Sequence, residues 1–356
     1  MRHLARLADH PNAYRLAFDD ACLNELRTLY EGEVREYLDL PQNAELLTSG
    51  KYVEARWQHG SHNYFACSYD TAPLLWVSTN DIGTHDVFDR FFRSLDVADD
   101  VKEIVDVDRK VIVYNGFFVI DDHSPATKWH VDYFDGANGL TLITPLFDLI
   151  GAQGNLLYRD PESITRKYRY RRGEAIVLGD RFVHSTEPYQ KTTSRRVLVS
   201  LTFGTDKLDY WPILKATVGM QSEFMLLPCG HQKDTCACLR DFEARRKRDR
   251  TRWIATAIDS PSGKRVVPSP RIRCEEVEGE TVLFDSSGRK CAGLDAVGAH
   301  MWRLLGRHGR LDLVRAAMLA EYEVEGGQLD RDLLEFVGSL ADAGLILLDP
   351  AGAENA

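Results

Sequence analysis

Three side chains that can bind a metal ion lie in two separate segments, and they constrain the fold of this chain more than any other feature. His130-Val131-Asp132 supplies one imidazole and one carboxylate, and His184 supplies a second imidazole farther along. Two imidazoles and one carboxylate form a three-ligand face that leaves the remaining positions around an ion open. The fold must therefore bring the two segments together.

The residues around each ligand predict β-strands. Residues 128–134 are expected to form a strand, which would point His130 and Asp132 to the same side. Residues 175–178 are expected to form a short buried strand, followed by a turn that leads to His184. The alternative is that both histidines are hydrogen-bonded core residues and that Asp132 is a turn residue.

A third strand-like segment begins with two adjacent arginines. One of its faces would carry Arg195 and apolar residues, and the other would carry Arg196, Leu198, Ser200 and Thr202. The apolar face should pack against covering elements, and the mixed face should line a polar site. A guanidinium at that site can hold a dicarboxylate through paired charge-assisted hydrogen bonds. We expect Arg196 to fill this role, with Arg195 as the alternative.

At these residues the chain resembles the Fe(II)/2-oxoglutarate-dependent dioxygenases, particularly their phytanoyl-CoA and prolyl hydroxylase branches. The resemblance covers about residues 105–210 and is carried by W-H-V-D, G-D-R-F-V-H-S-T-E-P and R-R-V-L-V-S-L-T-F. It implies a double-stranded β-helix (jelly-roll), 2-oxoglutarate as co-substrate, and Fe(II) held by His130, Asp132 and His184. The family tends to place a serine four positions after its arginine, as Ser200 follows Arg196. Because relatives that halogenate usually lack the carboxylate ligand, Asp132 favours hydroxylation or a related oxidation.

Length and composition limit the remaining possibilities. A chain of 356 residues fits two domains, which we expect at residues 1–225 and 264–356, with a linker at 226–263. The net charge of −10 argues against non-specific binding of nucleic acid. We expect no membrane span and no signal peptide, because the chain lacks a long apolar run and its first residues lack an apolar region. Seven cysteines, an odd number, favour a cytoplasmic protein over a disulfide framework.

The expected linker holds a compact group of metal-binding residue types. Cys229, His231, Cys236 and Cys238 match a structural Cys₃His zinc site in ligand type and number. Their spacing is tighter than in a usual zinc finger, and Cys-x-Cys binds a tetrahedral ion awkwardly, so a loop of free cysteines is the alternative. The arginine-rich residues 240–252 that follow indicate a solvated linker helix, with contact to an acidic partner as the alternative.

The last hundred residues have the pattern of a small winged-helix domain. Strand-like segments at 272–277, 279–285 and 290–294 come first. Helices are then expected from Asp295 as N-cap, at 312–322 and at 330–343, before a final strand-like segment at 345–348.

This part of the chain resembles the PqqD-like peptide chaperones and the related leader-peptide recognition elements of ribosomally made peptide pathways. The resemblance covers about residues 264–348 and is carried by G-E-T-V-L-F-D, L-D-A-V-G-A-H-M-W-R-L-L-G, A-E-Y-E-V and D-L-L-E-F-V-G-S-L-A-D-A-G-L-I. It departs from many relatives at residues 295–297, where Asp-Ala-Val replaces Asn-Glu-Thr. Winged helices can also bind DNA, but a phosphate backbone would repel the acidic residues of the third helix, Asp330, Asp332, Glu335 and Asp342.

The expected ligand of this domain is a peptide that adds to the sheet as an extra strand. It would pair with the third strand and rest against the third helix, which predicts contacts with Arg289, Lys290, Cys291, Ala292 and Arg331. The basic residues of this strand favour an acidic leader.

Two functions from different classes remain. In the first, the C-terminal domain holds the leader of a ribosomally synthesised precursor peptide while the jelly-roll oxidises a residue of its core. In the second, the protein is a small-molecule oxygenase whose C-terminal domain serves oligomerisation or regulation. A non-catalytic peptide-binding scaffold is disfavoured by the complete His130, Asp132 and His184 set. We expect the first function.

Overall fold

The computed structural model describes residues 4–47, 52–69, 72–150, 153–218, 222–259, 264–270, 272–277, 279–284 and 290–349. The chain forms two compact units, Met1–Leu239 and Arg240–Ala356, which are described separately. In the described ranges, no helix is both long enough and apolar enough to cross a lipid bilayer.

The first unit is built mainly of strands, with helices packed against them. Its strands are β1 (Leu4–Arg6), β2 (Ala13–Ala17), β3 (Val53–His59), β4 (His62–Tyr69), β5 (Ala72–Thr79), β6 (Ile112–Asp121), β7 (Gly139–Pro145), β8 (Leu156–Arg159), β9 (Thr165–Tyr168), β10 (Glu174–Leu178), β11 (His184–Thr186) and β12 (Arg196–Gly204). Its α-helices are α1 (Asn24–Leu29), α2 (Glu36–Leu38), α3 (Ile82–Ser94), α4 (Ala98–Lys102) and α5 (Trp211–Val218). Tyr30–Arg35 is π-helical, and short 3₁₀ helices occupy Asp20–Leu23, Pro41–Leu47, Leu208–Tyr210 and Lys233–Thr235.

These strands form two antiparallel sheets that face each other. The larger sheet has the order β1-β2-β10-β7-β12-β6-β5-β4-β3, and the smaller has the order β11-β8-β9. Tyr158 and Tyr168 of the smaller sheet share a buried apolar cluster with Ile176 and Leu198 of the larger sheet. Two facing antiparallel sheets with flanking helices confirm the α+β, jelly-roll-like core that the sequence predicts.

Strand β12 separates the helical layer from the space between the sheets. Val197 and Val199 join a buried cluster that includes Leu26 of α1 and Phe88 of α3. Leu198 points the other way, into the cluster between the two sheets. The alternation of side chains along an extended strand therefore places Arg196 on the interior side, with Leu198.

The segment before the larger sheet's β7 differs from the sequence-based expectation. Residues 128–134 are not a strand: among them only His130 makes a β-bridge, with His184, and the chain then bends. The bend buries the ring of Tyr133, whose hydroxyl donates to the carbonyl oxygen of Leu140 at 3.0 Å. Burial of this large ring explains why the strand is not continued.

The N-terminus of α3 is set by a contact from another element. Asp81 is its N-cap, and Thr84 completes a capping box from the third helical position. Asp81 Oδ1 accepts from the backbone N–H of Thr84 at 2.7 Å, and Oδ2 accepts from the Asn63 side-chain amide at 2.7 Å. Because Asn63 belongs to β4, tertiary packing contributes to the position of this cap.

The second unit contains a small sheet and several helices. Its strands are β13 (Arg265–Pro268), β14 (Arg273–Val277), β15 (Glu280–Phe284), β16 (Lys290–Leu294) and β17 (Ile346–Asp349). Its helices are α6 (Ala237–Asp259), which begins in the last residues of the first unit, α7 (Ala296–His308), α8 (Leu311–Glu321) and α9 (Gly326–Asp342). Strands β14, β15 and β16 form one antiparallel sheet, and β13 pairs with β17.

The order of these elements confirms the small winged-helix-like domain, with two differences. Helix α9 begins at Gly326 rather than Asp330, and β13 has no counterpart among the strands expected from the sequence. Asp295 caps α7 as predicted, accepting from the backbone N–H of Gly298 at 2.7 Å. Helices α6, α7 and α9 and strand β15 share a buried core that includes Ile254, Leu283, Trp302, Leu305, Leu333 and Val337.

Candidate active site

His130, Asp132 and His184 come together beside strand β11. Asp132 Oδ1 lies 3.7 Å from Nε2 of His130 and 3.7 Å from Nε2 of His184. The three ligand atoms all lie within 4.8 Å of one another. His184 is buried, Asp132 is half-buried and His130 is exposed, so the face that they form is reached from the His130 side.

The backbone just before each histidine orients its ring. Nδ1 of His130 lies 2.8 Å from the carbonyl oxygen of Lys128, and Nδ1 of His184 lies 3.0 Å from that of Phe182. A carbonyl oxygen can only accept, so each Nδ1 carries the proton and donates it. Each Nε2 is thereby left with a lone pair beside Asp132. Metal-binding histidines are commonly held through their other ring nitrogen in this way.

The three side chains fit a divalent metal ion. Burial lowers the pKa of His184 while the Asp132 carboxylate raises it, and the net lowering favours the neutral imidazole that a metal needs. Metal–ligand bonds of about 2.1 Å place neighbouring ligand atoms about 3.0 Å apart at octahedral angles. The observed 3.7 Å separations therefore need only small side-chain movements to close around an ion. Two imidazoles and one carboxylate with open positions are the ligand set of non-haem Fe(II) oxygenases.

Backbone contacts join the two segments that supply these ligands. The N–H of His130 donates to the carbonyl oxygen of His184 at 3.0 Å, and the N–H of His184 donates back at 2.9 Å. Farther along, the N–H of Arg181 donates to the carbonyl oxygen of Tyr133 at 3.1 Å. Asp180 Oδ2 accepts from the N–H of Gly136 at 2.6 Å. The segments are therefore fixed to each other on both sides of Asp132.

Arg196 lies inside the first unit in a buried ion pair. Its Nε donates to Asp121 Oδ1 at 2.7 Å, and its Nη2 donates to Asp121 Oδ2. The Tyr189 hydroxyl also donates to Asp121 Oδ1, at 2.7 Å. Nη1 of Arg196 donates to the carbonyl oxygen of Gly154 at 2.8 Å, and Nη2 has a longer contact with Thr186 Oγ1 at 3.3 Å. The arginine thus ties β12 to β6 and to the neighbouring loops.

These contacts leave little of the guanidinium for a further ligand. Burial acts to lower the pKa of Arg196, but the charge and hydrogen bonds of Asp121 outweigh it and raise that pKa. In the described part of the chain, four of its five N–H groups have partners, which leaves one on Nη1. A dicarboxylate could form a bidentate contact with Arg196 only if a present partner moved aside.

The other two residues predicted for the co-substrate occupy different places. Arg195 points to the helical layer, where its Nη1 donates to Asp39 Oδ1 at 2.7 Å. Ser200 is buried on β12, four residues after Arg196 along the same face. The geometry therefore favours Arg196 over Arg195 for any contact in the interior.

Tyr170 is a buried residue that the sequence did not indicate as a candidate for the site. Burial raises its pKa, the Arg196 charge acts against this, and the Asp121 and Asp132 carboxylates add to it. Its ring lies in the buried cluster between the two sheets, together with Leu198 of β12. Among the described residues no hydrogen bond to its hydroxyl is found. Tyr170 follows β9 at no diagnostic spacing from any motif, so its position emerges only from the fold.

The Cys/His cluster, which the sequence places in the expected linker, is also assembled and lies near the end of the first unit. Ligand atoms of Cys229, His231, Cys236 and Cys238 all lie within 4.8 Å of one another. Sγ of Cys229 lies 3.4 Å from Sγ of Cys236, and Sγ of Cys238 lies 3.6 Å from Nδ1 of His231. Burial raises the pKa of the Cys229 thiol to about 12.

In the second unit the expected peptide-binding strand lies at an edge of its sheet. Within the part of the chain that the structure describes, β16 pairs only with β15; Lys290 and Cys291 are exposed, and Ala292 is half-buried. Arg331 is exposed on α9, where its Nη2 donates to Gln328 Oε1 at 2.8 Å. Arg289, predicted to contact the peptide, lies outside the described residues.

The second unit matches a known family and a solved structure. Residues 280–346 match the family model of coenzyme PQQ synthesis protein D (PqqD). The structure of TbiB1 in complex with the TbiA(beta) leader peptide is 31% identical; the match covers 25% of this chain and 99% of that one, with a TM-score of 0.21.

The first unit is similar to distant solved structures. A prolyl-4-hydroxylase from Pseudomonas putida is 13% identical, over 56% of this chain and 95% of the hydroxylase, with a TM-score of 0.36. HygX from Streptomyces hygroscopicus, with nickel and 2-oxoglutarate bound, is 12% identical, over 55% of this chain and 83% of HygX, with a TM-score of 0.35. At this distance the likeness concerns fold alone, so function rests on the residues of this chain. No curated protein matches the chain significantly.

Proposed function

We propose that this chain, whose residues 280–346 match the PqqD family, is an Fe(II)- and 2-oxoglutarate-dependent oxygenase that oxidises a residue of a ribosomally synthesised precursor peptide. The observation that carries the proposal is the convergence of His130, Asp132 and His184, with both Nε2 atoms left free beside one carboxylate oxygen. Hydroxylation is the favoured outcome because Asp132 completes the ligand set.

In this proposal His130, Asp132 and His184 hold the iron and leave one side of it open. Bound Fe(II), together with 2-oxoglutarate and oxygen, supplies the oxidising chemistry. The protein fixes the ligand geometry through the carbonyl oxygens of Lys128 and Phe182. His184 is buried, so this ligand is shielded from solvent on the inner side of the site.

The co-substrate would be held from the interior by Arg196 and Tyr170. Arg196 offers one N–H that has no partner among the described residues. Tyr170, in the buried cluster with Leu198 on the same face of β12, offers its hydroxyl as a second donor. A carboxylate between them would receive one charge-assisted and one neutral hydrogen bond. Asp121 then acts as a positioning residue, because it fixes the plane of the guanidinium.

The peptide would be held by the second unit. An extended leader can pair with the exposed edge of β16, and its side chains can rest against α9. The positive charges of Lys290 and Arg331 favour a leader with acidic residues. Tethering raises the local concentration of the core peptide at the iron, so the barrel itself need bind the core only weakly.

The test uses the chain with Fe(II), 2-oxoglutarate and any precursor peptide that is found encoded beside its gene. We expect succinate release and the gain of one oxygen atom on the core peptide, measured by mass spectrometry. Asp132→Ala should abolish both and weaken metal binding by at least about 100-fold, since even supporting residues of a metal site are worth 10–100-fold. Asp135→Ala is the matched control, because Asp135 is exposed three residues farther on.

A second comparison separates the two classes of substrate. The full-length chain should modify the complete precursor much faster than the same core peptide without its leader. A chain lacking residues 240–356, the whole second unit with most of α6, should lose this preference, and adding those residues back in trans should restore part of it. Equal turnover of the complete precursor with and without them would place the protein among small-molecule oxygenases.

A further inference from the structure

We infer that Cys229, His231, Cys236 and Cys238 form a closed, structural Cys₃His zinc site that is independent of the proposed iron centre. The ligand set is soft sulfur with one imidazole, which suits Zn²⁺, whereas the His130 group has one carboxylate and no sulfur. Four protein ligands occupy all four coordination positions of a tetrahedral zinc ion, so no position is left for a substrate.

The first two ligands lie on a tight turn. Gly230, between them, has a φ of 77°, a left-handed conformation that favours glycine. Its N–H donates to the carbonyl oxygen of Leu227 at 2.7 Å, and the N–H of Leu227 donates to the carbonyl oxygen of His231 at 2.9 Å. The turn therefore holds Cys229 and His231 in place through backbone contacts alone.

The other two ligands lie where helix α6 begins. Cys236 directly precedes the helix and Cys238 is in its first turn, so the backbone changes direction between them. This change overcomes the poor geometry that Cys-x-Cys would have in an extended chain. The N–H of Leu239 donates to Sγ of Cys236 at 3.4 Å, which orients this sulfur at the start of the helix.

The measured separations agree with a tetrahedral zinc ion. Bonds of about 2.3 Å to sulfur and about 2.05 Å to nitrogen give sulfur–sulfur edges of about 3.8 Å and sulfur–nitrogen edges of about 3.6 Å. The Cys229–Cys236 sulfurs are 3.4 Å apart, and Cys238 Sγ is 3.6 Å from His231 Nδ1. An ion entering here would spread the sulfurs by a few tenths of an ångström.

The position of the cluster indicates that the ion would stabilise the attachment of the ligand turn to β6. Cys236 is buried in an apolar cluster with Ile112, Tyr114 and Tyr133. The N–H of Leu226 donates to the carbonyl oxygen of Tyr114 at 2.9 Å, which attaches the ligand turn to β6.

Zinc binding breaks three S–H bonds, forms three Zn–S bonds and one Zn–N bond, and releases three protons to solvent without any change of oxidation state.

The decisive measurement is the zinc content of the intact protein after a mild chelator has removed any iron. We expect one zinc ion per chain. After exchange for Co(II), we expect the intense visible bands of a tetrahedral thiolate site. Cys229→Ser should lower the zinc content to a tenth or less and lower the melting temperature, whereas Cys274→Ser, an exposed cysteine of β14, should change neither.

A conservative variant tests whether misfolding, and not the loss of a zinc ligand, explains the lower zinc content of Cys229→Ser. His231→Cys should keep one zinc ion per chain, and its Co(II) bands should gain intensity because a fourth thiolate replaces the imidazole. Zinc-free wild-type protein with an unchanged melting temperature would overturn the inference. So would the loss of two titratable thiols through a Cys229–Cys236 disulfide. Neither result depends on oxygenase activity, so the proposed function can fail without affecting this test.

Discussion

Asp121 and Arg196 form an ion pair that is sealed inside the first unit, with side-chain exposures of 0% and 1%. The pair joins the last residue of β6 to the first residue of β12, two neighbouring strands of the larger sheet. Tyr189 donates to the same carboxylate. Because removal of one partner leaves an uncompensated buried charge, the pair matters for stability whatever else Arg196 does.

We therefore expect Arg196→Ala to lower the free energy of unfolding by about 3–5 kcal/mol, measured by urea denaturation. The double variant Asp121→Leu/Arg196→Met should recover most of this loss, since a well-packed apolar pair often replaces a buried ion pair without cost. A double variant as unstable as Arg196→Ala would contradict this account.

The same double variant tests whether Arg196 binds the co-substrate in addition to stabilising the fold. It should fold, yet it lacks the guanidinium, so its affinity for 2-oxoglutarate under anaerobic conditions with Fe(II) should fall by roughly 10–100-fold, the value of a charged hydrogen bond. Arg195→Met, which removes the adjacent guanidinium on the other strand face, is the control. Wild-type affinity in the double variant would restrict Arg196 to a structural role.

Tyr170→Phe removes a hydroxyl and little else. If this hydroxyl donates to the co-substrate carboxylate, the KM for 2-oxoglutarate should rise by roughly tenfold while kcat changes little, since one hydrogen bond of about 1.5 kcal/mol is lost. Tyr168→Phe is the matched control, because its hydroxyl donates to Glu174 Oε1 at 2.9 Å. An equal effect of both substitutions would indicate a general loss of packing.

Charge reversal on the second unit should weaken leader binding. Lys290→Glu with Arg331→Glu is expected to raise the Kd for an acidic leader peptide by roughly tenfold at low salt, and by less at high salt. Fluorescence anisotropy of a labelled leader measures this directly. Arg303→Glu with Arg307→Glu, at two exposed positions of α7, makes the same change in net charge but lies outside the proposed contact. If it weakens binding equally, net charge rather than the β16 edge governs the interaction.

The stability of the first unit should depend on pH through Asp20. Hydrogen bonds from Arg172 and then Arg27 hold the pKa of Asp20 at about 2, below its ordinary 3.8. A depressed carboxyl pKa stabilises the folded state above the unfolded pKa, and the effect disappears as pH falls through the folded pKa. The difference in unfolding free energy between wild type and Asp20→Asn should therefore be constant above about pH 5 and vanish towards pH 2. A difference that does not change over this range would refute the assignment.

The sequence predicts those parts of the site that short-range patterns encode. His130 and Asp132 are two residues apart, and His184 follows a turn after a clearly apolar strand, so all three can be chosen from the sequence alone. Asp121 cannot be chosen in this way, because its partner Arg196 lies 75 residues away and only the pairing of β6 with β12 brings them together. Tyr170 escapes sequence-based prediction for the same reason.

Local patterns also fail where burial overrides them. Residues 128–134 have the alternation of a strand, yet the ring of Tyr133 is buried and the chain bends to place it there. Helix α7 is easier to predict because it has its own start and stop residues, Asp295 before it and Gly309 after it, whereas α9 has no side-chain cap among the described residues and the sequence places its start four residues late.

The reciprocal backbone hydrogen bonds between His130 and His184 have a thermodynamic consequence. Both imidazoles are ordered when the barrel folds, so the entropy of fixing them is lost at that stage and not when an ion arrives. Asp132, on the bend that follows, is then the ligand left to adjust. Metal binding should accordingly be fast, and it should change the rate of amide hydrogen exchange at either histidine only a little. Any slowing of this exchange should be confined to the residues around Asp132.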